Sequence, residues 1–104
     1  MLQGTALHYA GVVREIRWTE ESEDHIARHN VTPDEVEQVV NTRPRLVVAG
    51  PEEVEYGLGT TDAGRHLLVV LVEAVDGRDL VVTAREMSDS ERQTFRRKGG
   101  ENHG

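Results

Sequence analysis

The sequence has no cysteine, few aromatic residues and no long hydrophobic run. Without cysteine, neither a disulfide nor a thiolate metal site can hold the fold together, and a cysteine nucleophile is excluded. One tryptophan, two tyrosines and one phenylalanine leave most of the core to aliphatic side chains. The longest apolar run, residues 67–72, is far too short to cross a bilayer. We therefore expect a cytoplasmic protein with no membrane partner.

Basic residues are also in the minority. The chain has 12 Lys and Arg against 19 Asp and Glu, which gives a net charge of −7. This excess of acid opposes non-specific attraction to phosphate polymers. A length of 104 residues is typical of a single domain. We assign that domain to residues 11–97, between a flexible N-terminus over residues 1–10 and a flexible tail over residues 98–104.

Two capping signals predict helices in the first half of the chain. Thr19 precedes an acidic first turn, which suits the positive end of a helix running to about His29. Thr32 precedes a proline and is followed three positions later by Glu35, which makes a capping box. The valine stripe that follows predicts a core-facing helix over residues 33–42.

The rest of the pattern predicts strands and one more helix. Asp76-Gly77 is a favoured two-residue type I′ hairpin turn. Ser88 and Glu91 form another capping-box candidate and begin a last helix, with Phe95 as its apolar anchor. Five segments are rich in strand formers: residues 12–18, 46–48, 54–58, 67–72 and 80–83.

Together these elements predict an α+β fold. It has two N-terminal helices, a twisted antiparallel sheet of three to five strands and a C-terminal helix, with the helices packed on one face. Residues 67–72 are apolar at every position, so this segment is expected to be the central strand.

Three histidines offer a weak zinc alternative. His25 and His29 are four residues apart on a predicted helix, a spacing that lets two imidazoles reach one zinc ion, and His66 is a candidate third ligand. Position 26 is isoleucine rather than the glutamate that a metalloprotease helix needs. We therefore interpret these histidines as surface or partly packed residues and predict no metal and no other cofactor.

A set of arginines is the stronger candidate site. Arg65 precedes the central strand and Arg85 ends its partner, so an antiparallel hairpin brings both to one edge of the sheet. Guanidinium groups bind phosphate oxygens through two N–H groups and could stabilise the charge of a phosphoryl-transfer transition state. Three further arginines on the last helix belong to the same set: Arg92, Arg96 and Arg97.

Two alternatives stay open for Arg65 and Arg85. They could be rim residues that pair with nearby acids such as Glu86 and Asp62. An ideal two-residue turn also pairs Arg85 with Leu68, which would place Arg65 on the opposite face of the sheet. A one-residue bulge would bring the two arginines to the same face.

Five short strings occur in an order that is similar to one protein family: Arg17-Trp18-Thr19-Glu20-Glu21, Ala27-Arg28-His29-Asn30-Val31, Glu35-Val36, Gly59-Thr60-Thr61-Asp62-Ala63-Gly64-Arg65 and Thr83-Ala84-Arg85-Glu86-Met87. With them, residues 16–97 resemble the BrnT-type toxins, small RelE-like ribonucleases of bacterial type II toxin–antitoxin pairs. The resemblance implies a RelE-like fold, an antitoxin partner and an RNA substrate, cleaved free or on the ribosome. It also implies metal-independent cleavage through attack by the 2′-hydroxyl.

By position, the resemblance implies that Arg65 and Arg85 stabilise phosphate charge. It also implies that the arginines of the last helix bind RNA: Arg92, Arg96 and Arg97. Glu86 and Glu91 would act as base or orient an arginine, or would serve only the helix start. Phe95 stands where the family often has a tyrosine, and it has no proton to donate.

A second hypothesis is a non-catalytic partner-binding module of the same fold. Its acidic first helix and the apolar stripe around Ile26 would face an antitoxin or a second copy of the chain. The two hypotheses differ in one geometric requirement. A ribonuclease of this design needs Arg65 and Arg85 on one accessible surface, whereas arginines on opposite faces or in buried pairs favour the module.

Overall fold

A computed structural model of the chain describes residues 14–43 and 45–100. The predicted flexible segment 1–10 and residues 101–104 of the predicted tail lie outside these ranges. The described elements are β1 Ile16–Arg17, α1 Glu20–Ala27, α2 Pro33–Asn41, β2 Arg45–Ala49, a 3-10 turn Pro51–Glu53, β3 Glu55–Thr60, β4 His66–Glu73, β5 Asp79–Glu86, α3 Asp89–Phe95 and a π-helical turn Arg96–Gly100. The fold is therefore α+β, as predicted.

The five strands form one sheet in the order β1-β5-β4-β3-β2, with β4 in the middle. The central position predicted for residues 67–72 is therefore confirmed. The sheet is mixed rather than purely antiparallel, because β1 runs parallel to β5. At this edge the Arg14 guanidinium bonds to Asp79 at 2.8 Å and to Glu55 at 2.9 Å, and the Asp79 N–H donates to the Glu15 carbonyl at 3.0 Å. These contacts hold the chain beside the start of β5.

The predicted caps are present at all three helix starts. At α1, the Thr19 hydroxyl accepts from the Ser22 N–H and the Ser22 hydroxyl accepts from the Thr19 N–H, each at 3.0 Å. Thr32 with Glu35, and Ser88 with Glu91, form the two predicted capping boxes. Helix α1 ends at Ala27, before the predicted His29.

The helices lie on both faces of the sheet, which corrects the prediction of one covered face. On the helix-pair face, α1 and α2 bury a cluster of ten residues that includes Ile26, Val36 and Leu71. On the opposite α3 face, Phe95 packs with Leu58, Leu68 and Met87. The reason lies in β4, whose side chains are apolar on both sides and therefore need cover on both faces.

The hairpin between β4 and β5 differs from the predicted two-residue turn. Ala74 donates to the Arg78 carbonyl at 2.7 Å and accepts from Gly77 at 3.0 Å, so the loop has three residues and ends with Gly77 at φ +89°. Farther along, Val70 pairs with Thr83 but Leu71 pairs with Val81, which leaves one extra residue in β5. The longer loop and the bulge shift the register by one residue each in opposite directions, so they cancel.

Candidate functional site

Arg65 lies on the helix-pair face, where three backbone and side-chain acceptors surround it. Its guanidinium donates to both carboxylate oxygens of Glu35 at 2.9 Å, to the Asn30 carbonyl at 2.9 Å and to Glu86 at 3.2 Å. Burial opposes the charged form of Glu35, but the Thr32 N–H and Arg65 outweigh it and keep the pKa of Glu35 below its usual value. Arg65 thus joins the turn after α1, the start of α2 and the end of β5.

Arg85 lies on the α3 face, where Glu91 holds it. Its two terminal nitrogens donate to the two oxygens of Glu91, each at 2.8 Å, and one also donates to the Glu86 carbonyl at 3.0 Å. Glu91 also accepts from the Ser88 N–H. The hydrogen bonds from Arg85, against a smaller opposing effect of burial, lower the pKa of Glu91 to about 2. Glu91 is therefore a fixed carboxylate and is poorly matched to proton transfer near neutral pH.

The strand register separates the two arginines. Arg85 is the cross-strand partner of Leu68, and Glu86 is the partner of Leu67. Because successive side chains point to opposite faces of a sheet, Arg85 belongs to the α3 face and Glu86 to the helix-pair face. The structure thus brings Arg65 together with Glu86, and Arg85 together with Glu91. It does not bring the four residues into one site.

The other predicted RNA-binding residues are close to the Arg85 side of the molecule. Arg92 is in α3, and Arg96 and Arg97 are in the turn that follows it. All three are exposed. Within residues 14–43 and 45–100, none of the three makes an ion pair. They give the end of α3 a locally positive surface on an acidic protein.

A groove of about 390 Å³ crosses the α3 face between the sheet and α3. It is lined by Val48, Tyr56, Leu58, Leu68, Val70, Arg85, Ser90, Glu91 and Thr94. Tyr56 owes its position to Gly50, because a Cβ there would lie 2.7 Å from the tyrosine ring. Tyr56 and Val48 were not predicted as site residues. The alternation of Tyr56 and Leu58 along β3 is the sequence signal that places both side chains on one face of the sheet.

A larger concavity of about 910 Å³ lies at the opposite end of the sheet. Seven carboxylates line it with two arginines: Glu15, Glu52, Glu53, Glu55, Glu73, Asp76 and Asp79, with Arg14 and Arg78. Such a surface repels phosphate. Of the two concavities, only the α3 groove is suited to an anionic or apolar ligand.

The histidines do not converge. His25 Nδ1 lies 3.0 Å from the Val82 carbonyl in the β5 bulge, on the helix-pair side. The ring of His66 is 6.0 Å from that of Phe95, on the α3 face. In the described ranges no group of three metal-ligating side chains could hold a metal ion. Ile26 is fully buried in the helix-pair core, so the expectation that a stripe around it faces another chain is wrong.

No family model, curated protein or solved structure matches this chain. Among the described residues, no helix combines the length and apolar character that a membrane crossing requires. The resemblance to BrnT-type toxins therefore remains a prediction based on the five strings.

Proposed function

We propose that this chain is a protein-binding module of the toxin–antitoxin type, whose α3 groove receives a segment of its partner protein. The observation that carries the proposal is the separation of Arg65 and Arg85 onto opposite faces. This geometry lacks the shared arginine surface of a ribonuclease. Of the two concavities described above, the α3 groove is the one with a mainly apolar lining. Binding of a peptide segment in an apolar groove is a common mode of protein recognition.

The lining of the groove suggests the chemistry of the partner segment. Its floor is apolar, with Leu58, Leu68 and Val70 beneath the ring of Tyr56. The exposed cations Arg92, Arg96 and Arg97 lie along or just beyond α3. A segment with apolar side chains on one face and carboxylates on the other would complement both features. An antitoxin peptide of that composition is the partner we propose.

Binding can be tested with the protein encoded next to this chain, because toxin–antitoxin pairs are encoded together. Thr94 lines the groove, whereas its neighbour Gln93 is exposed and does not. Thr94→Trp fills part of the groove without adding a charge, so we expect titration calorimetry to show at least roughly tenfold weaker binding. Gln93→Trp is the matched control and should bind like the parent. Equal affinity of the two variants would contradict the proposed site.

A second candidate function, metal-independent RNA cleavage on the α3 face, is favoured by one specific feature. The Arg85 side chain is 41% exposed while Glu91 fixes it from one side. A guanidinium held in this way keeps N–H groups for a phosphate at the rim of the groove. Tyr56 in the same groove carries a hydroxyl that could protonate a leaving oxygen, a role that Phe95 cannot perform.

Because Arg65 and Arg85 lie on opposite faces, single substitutions can distinguish a ribonuclease site on the α3 face from a site that uses both arginines. The parent, Arg85→Ala and Arg65→Ala would be expressed alone in a bacterial host at matched protein levels, with growth and intact messenger RNA as readouts. A ribonuclease confined to the α3 face predicts growth arrest in the parent and in Arg65→Ala, but not in Arg85→Ala. Unaffected growth with all three proteins would contradict the ribonuclease candidate and favour the binding module.

A further inference from the structure

Strand β2 ends the sheet and pairs on one side only within the described part of the chain, with β3. An edge strand presents a row of unpaired backbone N–H and C=O groups to any other strand. Two of its side chains, Val47 and Val48, are exposed by 42% and 40% although both are apolar. Natural edge strands usually carry charges or prolines that prevent pairing, and residues 46–49 read Leu-Val-Val-Ala.

The register shows which backbone groups face outward. Gly50 donates to the Val54 carbonyl at 2.7 Å, in line with the pairing of Ala49 with Glu55. Hydrogen-bonded and non-hydrogen-bonded pairs alternate in an antiparallel ladder. Leu46 and Val48 therefore direct their backbone groups to β3. Arg45, Val47 and Ala49 direct theirs to the free edge.

This outward set is complementary to itself. If β2 meets a second β2 around a two-fold axis at Val47, then Val47 pairs with Val47, and Arg45 with Ala49 of the other copy. All of these residues are outward-facing, so each pair can exchange two N–H···O bonds. No charged residue meets its own kind, because Arg45 lies opposite an alanine. A C2 interface requires this kind of self-complementary patch.

The charges at the two ends of β2 fit the same arrangement. At the N-terminal end, Arg45 donates to the Val40 carbonyl and, in residues 14–43 and 45–100, pairs with no carboxylate. Burial and the like charges of Arg14 and Arg43 lower the pKa of Arg45. Past the C-terminal end, Glu52 and Glu53 are exposed. An antiparallel alignment places the positive end of each copy beside the acidic end of the other.

We propose that two copies of this chain associate through β2, forming a continuous ten-stranded sheet with Val47 at the two-fold axis. The helical turn Arg96–Gly100 lies close to β2, but among the described residues no backbone–backbone hydrogen bond joins this turn to β2. A pair of five-residue strands buries less than the roughly 1,200 Å² of a standard interface, so the dimer is weak and forms at high protein concentration. This interface is separate from the α3 groove and does not depend on the function proposed for it.

The first test is sedimentation velocity of the full chain, without a tag, from micromolar to millimolar concentration. The parent should shift from monomer to dimer. Val47→Lys places two like charges at the axis and should weaken the dimer at least roughly tenfold, as should Val47→Glu alone. An equimolar mixture of the two variants should restore dimers. Val82→Lys is the matched control, since Val82 is 41% exposed at a different site.

A second test does not depend on charged substitutions. The chain has no cysteine, so a single Val47→Cys thiol can only react with its counterpart in another copy. Directly paired residues lie about 5.5 Å apart between Cα atoms, within the range that a disulfide spans. Oxidation should cross-link Val47→Cys much faster than Val82→Cys. A parent that stays monomeric at millimolar concentration, or equal cross-linking of both cysteine variants, would overturn the proposal. A mixture of the charged variants that stays monomeric would also overturn it.

Discussion

Arg65 and Arg85 show that two residues of one type, both at the same end of a hairpin, can have different structural roles. Arg65 is enclosed by acceptors from three segments of the helix-pair face. Arg85 is held by a single carboxylate and keeps part of its guanidinium in contact with solvent. The first arrangement joins elements of the fold, whereas the second orients a cation beside a groove. The variants of the two residues should therefore fail in different ways.

Arg65→Ala should destabilise the fold. The side chains of Arg65 and Glu35 are largely buried, and loss of the guanidinium leaves the Asn30 carbonyl and Glu35 without it. We expect a loss of about 1 kcal/mol in the free energy of unfolding, measured with urea. Arg65→Lys should recover only part of it, because an ammonium cannot match the spread of these acceptors. Arg78→Ala removes an exposed pair with Asp76 and should leave stability nearly unchanged.

Glu91 makes the stability of the α3 face depend on pH. Its pKa falls from 4.5 to about 2 on folding, so its contribution is complete above pH 4.5 and is lost as the pH drops towards 2. Allowing for the partial exposure of Arg85, this contribution is on the order of 2 kcal/mol at neutral pH. Urea unfolding should show Glu91→Gln less stable than the parent by that amount at neutral pH.

The comparison at lower pH tests the cause of that difference. Near pH 3 the deficit of Glu91→Gln should shrink by about half, because Glu91 is then mostly protonated in the unfolded chain but still mostly ionised in the folded protein, so protonation stabilises the unfolded state of the parent. Glu21→Gln, at an exposed acid in the first turn of α1, should show no comparable dependence. An unchanged deficit at both pH values would mean that Glu91 stabilises α3 through contacts that do not involve its charge.

At the scale of elements, β3 and α2 approach each other closely at Gly59. A Cβ at this position would lie 3.1 Å from the Val39 Cγ1 and 3.2 Å from the Val39 carbonyl oxygen. The helix backbone cannot yield as a flexible side chain does, so Gly59→Ala should cost about 1–3 kcal/mol in unfolding free energy. Gly57→Ala is the control on the same strand, since its nearest neighbour would be 3.9 Å away. Equal losses from the two substitutions would show that the cost comes from strand backbone rather than from α2.

Elements with local signals were predictable from the sequence. Thr32 and Glu35 lie within one turn of each other, so their capping box depends on nothing distant. The composition of β4 likewise identifies a central strand. The parallel pairing of β1 was not predictable, since it depends on contacts of Arg14 with residues far along the chain. The face of the sheet on which α3 packs also depends on contacts distant in sequence. However, β4 has apolar residues on both faces, and this pattern indicated that both faces would be covered.

The candidate site was harder to predict than the fold, because a shift of one residue in strand register moves each side chain to the other face of the sheet. Pairing of Arg85 with Leu68 follows from an ideal two-residue turn, and the structure has this pairing for a different reason. A three-residue loop and a bulge at Val82 each move the register by one residue, and together they restore it. Pairing of these arginines with nearby acids such as Glu86 was one of the alternatives left open, and the structure pairs Arg65 with Glu86. A role for Glu91 in orienting an arginine was also among the roles considered, but which arginine it holds depends on the position of α3.

At the scale of the whole molecule, the two faces of the sheet are unequally stabilised. Among the residues that the structure describes, the cluster buried on the helix-pair face has ten members, whereas the cluster on the α3 face has four. Local unfolding begins where few apolar contacts hold an element. Helix α3 has one buried anchor, Phe95, and its groove stays open to solvent. The groove proposed to bind a partner therefore lies on the face of the sheet with the smaller buried cluster.

Hydrogen exchange can measure this inequality directly. Phe95→Ala should cost about 3 kcal/mol, and the faster exchange that follows should be confined mainly to the amides of α3. Leu71→Ala, in the larger cluster, should instead accelerate exchange throughout β3, β4 and β5, because those strands share that core. If Phe95→Ala accelerated exchange evenly across the whole sheet, the two faces would form one cooperative unit. A partner bound in the α3 groove should protect the α3 amides of the parent most strongly, since they have the most protection to gain.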